Sequence, residues 1–185
     1  MILEIVKFGH PALRTKGARV AAADVKIRQL AADMLETMVA AHGVGLAAQQ
    51  VGVPVQLAVI DVAGIEDRPS TMLIGGRPVA LEAHMPLVLL NPELTLSKER
   101  EAGNEGCLSF PEISAEIVRA ATVRAKAQQL DGTPIEFEAT GLLARALQHE
   151  VDHLHGILFI DRMNSAAKAG LAGKLKRLQK ESRGE

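Results

Sequence analysis

Residues Gly141 to Leu154 read GLLARALQHEVDHL and directly follow Thr140, after which a helix is predicted to begin. His149 and His153 lie four residues apart, so helical geometry places both imidazoles on one face, at a separation suited to a single metal ion. Glu150 lies beside them and can act as a base toward a water molecule without being a ligand. The alternative is that these side chains form an ordinary solvated helix surface.

Two histidines and a water molecule do not complete a tetrahedral metal site, so a third protein ligand is required. The candidate is Cys107, the only cysteine of the chain, because a thiolate is a soft and anionic donor. It lies in the segment EGCLSFP, where the preceding glycine lets the backbone approach a metal closely. A lone cysteine is more often a small buried hydrophobic residue, but the histidine pair favours ligation here.

Glycines at alternate positions open a third segment, GVGLAAQQVG, which spans Gly43 to Gly52. It lacks the Lys-Ser/Thr pair of a phosphate-binding loop, and no predicted strand precedes it. Taken alone, the segment is typical of a helix C-cap followed by a tight turn. Beside a catalytic site, the side-chain amide of Gln50 would instead donate a hydrogen bond to a developing oxyanion.

Apolar residues spaced three and four apart predict an N-terminal helix from Asp24, its N-cap, to His42, with Gly43 ending it. A third helix is predicted to begin near Asn164 and to extend to Lys180. Alternating or β-branched patterns predict further elements of extended structure. These strands are expected at 55–62, 87–94, 115–130 and 133–139.

Turn-forming residues separate these strands. Pro92 is expected to limit the second, Asp131-Gly132 forms a hairpin turn between the last two, and 64–86 is predicted to be a loop with an edge hairpin. The order predicts an α+β fold in which antiparallel sheets surround a central helix carrying the H-E-x-x-H motif, plus an N-terminal helix and a C-terminal helix. One domain over 1–185 is expected, because this length leaves little room for two cores.

Composition excludes several classes of protein. The chain has four Phe but no Trp or Tyr, and its net charge is -1, so nothing favours binding to DNA or to single-stranded nucleic acid. A single cysteine cannot form an internal disulfide and suits a reducing compartment. No signal or transit peptide is expected at the N-terminus, and no apolar run approaches the roughly 20 residues of a membrane span. We therefore expect a cytoplasmic protein without a membrane partner.

Together, the three segments resemble the signatures of the peptide deformylase family, and they occur in the same order along the chain. The matches are G-x-G-x-A-A-x-Q at Gly43 to Gln50, E-G-C-L-S at Glu105 to Ser109 and Q-H-E-x-D-H at Gln148 to His153. The resemblance implies a metal-dependent hydrolase of protein biosynthesis that acts in N-terminal processing. Its reaction would remove the N-formyl group from the initiator formyl-methionine of newly made polypeptides and release formate.

The resemblance also implies roles for individual residues. One divalent metal ion would be held by Cys107, His149 and His153. This ion would be Fe2+ in the cell, with Zn2+, Ni2+ or Co2+ in purified protein. Glu150 would be the general base, and the Gln50 amide and the backbone N–H of Leu108 would stabilise the oxyanion of the tetrahedral intermediate.

Family members bind the substrate backbone as an added strand, and the resemblance assigns Gly45 to that contact. An apolar pocket would hold the methionine side chain. The residues implied for its walls are Val44, Phe110, Leu142 and Ala146. Plain core packing is at least an equal alternative for Phe110. Two positions depart from the family's pattern: Gly103 stands where some relatives carry a larger apolar residue, and Ser114 stands where several carry an arginine.

Glu105 and Gln148 are candidates for orienting the metal ligands, and a solvated role is the alternative for each. Two other functions share part of the pattern. A zinc peptidase of the H-E-x-x-H type would require a downstream His or Glu ligand, and the only downstream histidine, His155, lies off the ligand face. A structural metal protein would need a fourth protein ligand and would have no use for Gln50.

Charge is segregated toward the C-terminus. Residues 162–185 carry seven basic and two acidic side chains, a net charge of +5, so the remainder of the chain carries -6. A basic helix at 164–182 on an acidic body suits docking on phosphate-rich RNA, and the family resemblance extends this to the ribosome. The alternative, partly compatible with docking, is a solvated helix face whose leucines pack on the core. These leucines are Leu171, Leu175 and Leu178.

Overall fold

A computed structural model describes all 185 residues of the chain. The helices are α1 (Val25–Ala40), α2 (Gly141–Leu154) and α3 (Ser165–Arg183). The strands are β1 (Gly45–Ala47), β2 (Leu57–Ile60), β3 (Ser70–Ile74), β4 (Arg77–Pro78), β5 (Leu87–Leu96), β6 (Arg100–Cys107), β7 (Phe110–Ala120), β8 (Thr122–Gln128) and β9 (Pro134–Thr140). The predicted α+β fold is confirmed, with all strands of each sheet paired antiparallel.

Two antiparallel sheets pack around α2. Seven strands form the first sheet in the order β1-β2-β5-β8-β9-β3-β4, and β6 and β7 form the second. Twelve of the fourteen residues of α2 are buried, and its Leu143 and Leu147 pack with Val123 and Phe137 of the first sheet. This burial excludes the solvated-surface alternative for the H-E-x-x-H segment.

The helices begin where the sequence predicts. The side chains of Asp24 and Asn164 accept hydrogen bonds from backbone amides three residues later, which caps α1 and α3. The end of α1 differs from the prediction, because His42 rather than Gly43 adopts the left-handed conformation, with a φ of 57°. The amide of Gly43 then donates to the carbonyl of Met38 at 2.9 Å, which satisfies the last helical turn.

The single strand predicted at 115–130 is wrong. The chain leaves the second sheet after Ala120 and joins the first at Thr122, so one alternating run supplies parts of both β7 and β8. Alternation reports which face is buried, and it carries no information about which strand is the hydrogen-bonding partner. The predicted hairpin turn between β8 and β9 is confirmed, and Gly132 there has a φ of 86°.

Pro92 does not end β5 as predicted. Asn91 takes a φ of 50°, and the pairing with β8 shifts register between Leu90 and Glu93. This bulge accommodates the proline inside the strand, where an unbroken ladder would require its missing amide hydrogen. The edge hairpin expected within 64–86 is confirmed as β3 and β4, whereas no sequence pattern indicates β1 or β6.

A second core joins the C-terminal helix to the cysteine-bearing hairpin. Leu175 of α3 is 7% exposed and packs in one cluster with Phe110 and Phe159. Leu171 and Leu178 are partly buried against the same cluster, so the leucine face of α3 contacts the body of the protein as the packing alternative proposed. None of the helices combines the length and the apolar character needed to span a membrane.

Candidate metal centre and cleft

Three metal-ligating side chains meet between α2 and the hairpin of β6 and β7. Cys107 is the last residue of β6, and His149 and His153 project from α2. Their donor atoms all lie within 4.8 Å of one another, and Sγ of Cys107 lies 3.4 Å from Nε2 of His153. One thiolate and two imidazoles at these separations fit a divalent transition-metal ion. No fourth Cys, His, Asp or Glu belongs to the group, which disfavours a closed structural site.

Glu105 orients one of the two imidazoles. Its Oε1 accepts a hydrogen bond from Nδ1 of His149 at 2.9 Å, which leaves Nε2 of the ring for an ion. Its Oε2 accepts hydrogen bonds from Arg119 and Arg145, each at 2.8 Å. Arg119 also donates to Asp152 at 2.6 Å, so the buried charges form one connected network. This arrangement excludes the solvated alternative for Glu105.

The side chain of Gln148 makes no hydrogen bond to a candidate ligand. Its side-chain amide accepts a hydrogen bond from the backbone N–H of Ala120 at 2.9 Å and donates to the carbonyl of the same residue at 3.0 Å. Gln148 therefore ties α2 to the end of β7, and neither of its two expected roles is correct. His153 has no orienting partner, because its Nδ1 is buried without a hydrogen bond.

Burial is the largest single influence on the pKa of each titratable group described here, although it does not always decide the direction of the shift. It raises the pKa of Glu150 to about 7 and lowers the pKa of His153 well below its usual value. Burial also opposes the charged form of Glu105, but hydrogen bonds from its basic neighbours outweigh burial and lower the pKa. For His149, hydrogen bonds to Cys107 and Glu105 outweigh burial and raise the pKa.

Glu150 lies against β1. Its Oε2 is buried and makes no hydrogen bond within the chain. A Cβ at Gly45 would lie 2.5 Å from Oε1 of Glu150, so only glycine leaves room for the carboxylate at this position. The structure thus places an unpartnered proton acceptor in the same cleft as Cys107 and His149.

Gln50 is fixed beside the cysteine. Its Oε1 accepts a hydrogen bond from the backbone N–H of Ala47 at 2.9 Å, which orients the amide. The amide Nε2 then donates to Oγ of Ser109 at 3.3 Å and reaches Sγ of Cys107 at 3.5 Å. Leu108 lies in the turn between β6 and β7, between Cys107 and Ser109 along the chain, and its carbonyl accepts a hydrogen bond from Nζ of Lys7 at 3.0 Å.

Cys107, His149 and Glu150 open onto a cleft of about 670 Å³. The residues that the resemblance implies for substrate binding all line this cleft: Val44, Gly45, Phe110, Leu142 and Ala146. Phe110 is only 1% exposed, and its ring stacks on Phe8 at a centroid distance of 5.0 Å, so it serves mainly as core. Charged side chains other than Glu105 and Glu150 also line the cleft: Lys7, Arg68, Glu112 and Arg145.

Sequence reasoning missed Arg119 and Arg145, which hold Glu105 in place. A signal for Arg145 was present, because it follows Leu142 by three residues and precedes His149 by four, and therefore shares their helix face. No comparable signal existed for Arg119, whose position depends on the pairing of β6 with β7.

Similar sequences are known. A family model described as polypeptide deformylase matches residues 2–169. The peptide deformylase of Methylacidiphilum infernorum is 47% identical over 180 residues, which cover 97% of this chain and 94% of that protein. The peptide deformylase of Opitutus terrae is 44% identical over 185 residues, which cover 99% of this chain and 96% of that protein.

Solved structures share the fold. Peptide deformylase 1B of Arabidopsis thaliana, crystallised with an inhibitor, is 36% identical with a TM-score of 0.83, and the match covers 97% of this chain and 91% of that chain. The peptide deformylase of Thermotoga maritima is 37% identical with a TM-score of 0.76, and the match covers 89% of this chain and 99% of that chain. The sequence and the fold are therefore both similar to those of peptide deformylases.

Proposed function

Because this chain belongs to the peptide deformylase family, we propose that Cys107, His149 and His153 are the ligands of the divalent metal ion on which its activity depends. The enzyme is a hydrolase that removes the N-formyl group from the formyl-methionine of newly made polypeptides and releases formate. The observation that carries the residue assignment is that these three donors lie within 4.8 Å of one another, beside a cleft that the unpartnered carboxylate of Glu150 also lines.

The ligand set suits several first-row metals. One thiolate and two imidazoles accept Fe2+, Zn2+, Ni2+ or Co2+. The resemblance to the peptide deformylase family supports the assignment of Fe2+ to the enzyme in the cell. A bound divalent ion lowers the pKa of a water molecule and polarises the carbonyl group of the substrate. The hydrogen bond from His149 to Glu105 fixes the ring for this purpose.

The remaining catalytic roles fall to three groups of the chain. Glu150 takes the proton of the attacking water and gives it to the leaving amine, because its Oε2 has no other hydrogen-bond partner. The amide of Gln50, held by Ala47, donates to the oxyanion of the tetrahedral intermediate. The backbone N–H of Leu108 supplies a second donor, and each such donor contributes about 3 kcal/mol when its geometry is favourable.

Substrate binding uses the same cleft. The backbone of Gly45 holds the peptide as an added strand on β1, which lies at the edge of the first sheet. Val44, Leu142 and Ala146 form the apolar wall for the methionine side chain, and Phe110 supports this wall from the second core. We assign the whole of 1–185 to one catalytic domain, place it in the cytoplasm, and assign the basic face of α3 to ribosome association.

Formate release tests this proposal. Freshly purified enzyme is assayed with formyl-Met, formyl-Gly and formyl-Asp peptides, and its metal content is measured in parallel. We expect one divalent ion per chain and a preference for formyl-Met of about tenfold or more, because a buried apolar side chain contributes about 1.5–3 kcal/mol. Cleavage of internal peptide bonds instead of formate release would favour the peptidase alternative. Equal specificity constants for the three substrates would contradict the pocket assignment.

A further inference from the structure

Arg145 is the only arginine of α2, and it lies on the helix face that lines the cleft. Leu142 and His149 flank it at helical spacing, so it stands between the apolar wall and the candidate metal ligands. Its side chain is 10% exposed. The hydrogen bonds of Arg145 account for the presence of a cation beside a pocket for an apolar side chain.

Hydrogen bonds from two of its three nitrogen atoms fix the guanidinium group, and the third nitrogen remains without a partner. Its Nη1 donates to Glu105 and to the carbonyl of Ile117 at 2.8 Å each, and its Nη2 donates to the carbonyl of Glu101 at 3.0 Å. Its Nε makes no hydrogen bond within the chain. Three side-chain polar atoms of the protein are fully buried without a hydrogen bond: Oε1 of Gln49, Oε2 of Glu150 and Nδ1 of His153. Nε of Arg145 is not one of them, so this unbonded atom is not fully buried. The Nε–H is therefore accessible, and the cleft is the cavity that Arg145 lines.

Gly103 of β6 makes room for this arrangement. A Cβ at Gly103 would lie 2.8 Å from Nη2, 2.9 Å from Cζ and 3.0 Å from Nε of Arg145. These nearly equal distances show that the flat face of the guanidinium group covers the glycine. The volume that a larger apolar residue at 103 would fill is thus occupied by a hydrogen-bond donor.

We propose that Arg145 is a specificity-determining residue that extends the substrate range to formylated residues ending in an uncharged hydrogen-bond acceptor, such as methionine sulfoxide. This inference rests on the proposed function of the cleft. In a wholly apolar pocket the sulfoxide oxygen would lose its hydrogen bonds to water and gain none. The fixed Nε–H replaces one of them, while Glu105 balances the positive charge so that the thioether of methionine is also accepted. Chains whose initiator methionine has been oxidised then remain substrates.

The test compares substrates on one enzyme preparation. Wild-type enzyme and Arg145→Leu are assayed for formate release with formyl-Met, formyl-norleucine and formyl-methionine-sulfoxide peptides. We expect Arg145→Leu to lower the kcat/KM ratio of sulfoxide to norleucine by about tenfold or more, the loss typical of a hydrogen bond to a charged donor. Both substrates are assayed at the same concentration of folded enzyme, so this ratio does not depend on how much of the variant folds.

Two controls complete the design. Arg145→Lys keeps the charge near Glu105 without the planar Nε–H, and we expect the ratio to fall as in Arg145→Leu. Arg124→Leu removes an exposed arginine on β8 that pairs with Glu138, and we expect no change. An unchanged ratio in Arg145→Leu, or an equal fall in Arg124→Leu, would overturn the inference. Failure of the wild-type enzyme to release formate from formyl-Met would instead contradict the proposed function.

Discussion

Replacing Glu150 by Gln keeps the size of the side chain and removes its ability to accept a proton. The three candidate ligands are untouched, so the variant is expected to retain its metal. Deformylation should fall by about 100-fold or more, which is the usual contribution of a general base. Formate release and metal analysis on the same sample check this prediction. Retention of more than a tenth of the wild-type rate would show that Glu150 is not the base.

Cys107 tests the ligand assignment directly. The Cys107→Ala variant removes the only thiolate among the three donors, and we expect it to purify largely without metal. The Cys107→Ser variant should bind metal weakly, because a hydroxyl is a harder donor with a much higher pKa. Metal content after gel filtration is the measurement. Tightly bound, stoichiometric metal in the alanine variant would require another third ligand.

Among single residues, the sequence predicted those whose position depends only on neighbours within a few residues of the chain. The spacing of His149 and His153 needs only a helix to bring the two rings together, and the structure places their centroids 5.0 Å apart. Cys107 could be proposed because no other thiol exists. Arg119 could not be predicted, because it reaches Glu105 only through a pairing between strands that no local pattern specifies.

Among the elements, β1 packs so closely on α2 that one methyl group would disturb the site. The Gly45→Ala variant places a Cβ 2.5 Å from the Glu150 carboxylate, which is 4% exposed and has little room to move. We expect kcat to fall by about tenfold or more while the metal is retained, since a displaced base loses much of its effect. Steady-state kinetics and metal analysis test this. A variant with wild-type kcat would show that Glu150 does not work from the position seen here.

Helix α3 contains two glycines that its packing does not require. A Cβ at Gly170 or Gly173 would meet no atom within 4 Å, and both positions are exposed. Each change to alanine should stabilise the protein by about 0.5–1 kcal/mol, because alanine loses less backbone entropy in a helix. For a chain of this size we expect Tm to rise by about 1–4 °C per substitution. Calorimetry measures the shift, and a lower Tm would indicate that these glycines have a contact in the folded enzyme.

The helices and strands also show which elements a local sequence pattern can predict and which it cannot. Helices were predicted well because their caps, Asp24 and Asn164, act within four residues of chain. Strand β6 was missed because REAGNEGC alternates no apolar face, and only its pairing with β7 makes it a strand. The run from 115 to 130 was misjudged for the same reason, since its division between two sheets is decided by distant partners.

For the molecule as a whole, α3 combines packing on the core with an exposed basic face, two roles that the sequence analysis treated as alternatives. Its leucines pack in the second core with Phe110 and Phe159, close to the cleft, and its basic side chains remain exposed. Removal of the helix would therefore uncover part of the core that supports Cys107, which packs against the same cluster. Truncation cannot separate ribosome association from stability, and substitution of the exposed charges is the better test.

The charge-substitution variant combines Lys174→Ser, Arg177→Ser and Lys180→Ser, all at exposed positions of α3. We expect formate release from short formyl-Met peptides to be unchanged, because none of the three residues lines the cleft. Ribosome binding should weaken, and the slope of log K against log salt should decrease by about 2, since each phosphate contact contributes about 0.7–0.9 to it. A matched control removes three exposed basic residues elsewhere: Arg19, Lys26 and Arg28. Equal binding by the two variants would show that net charge alone, and not the face of α3, attracts the ribosome.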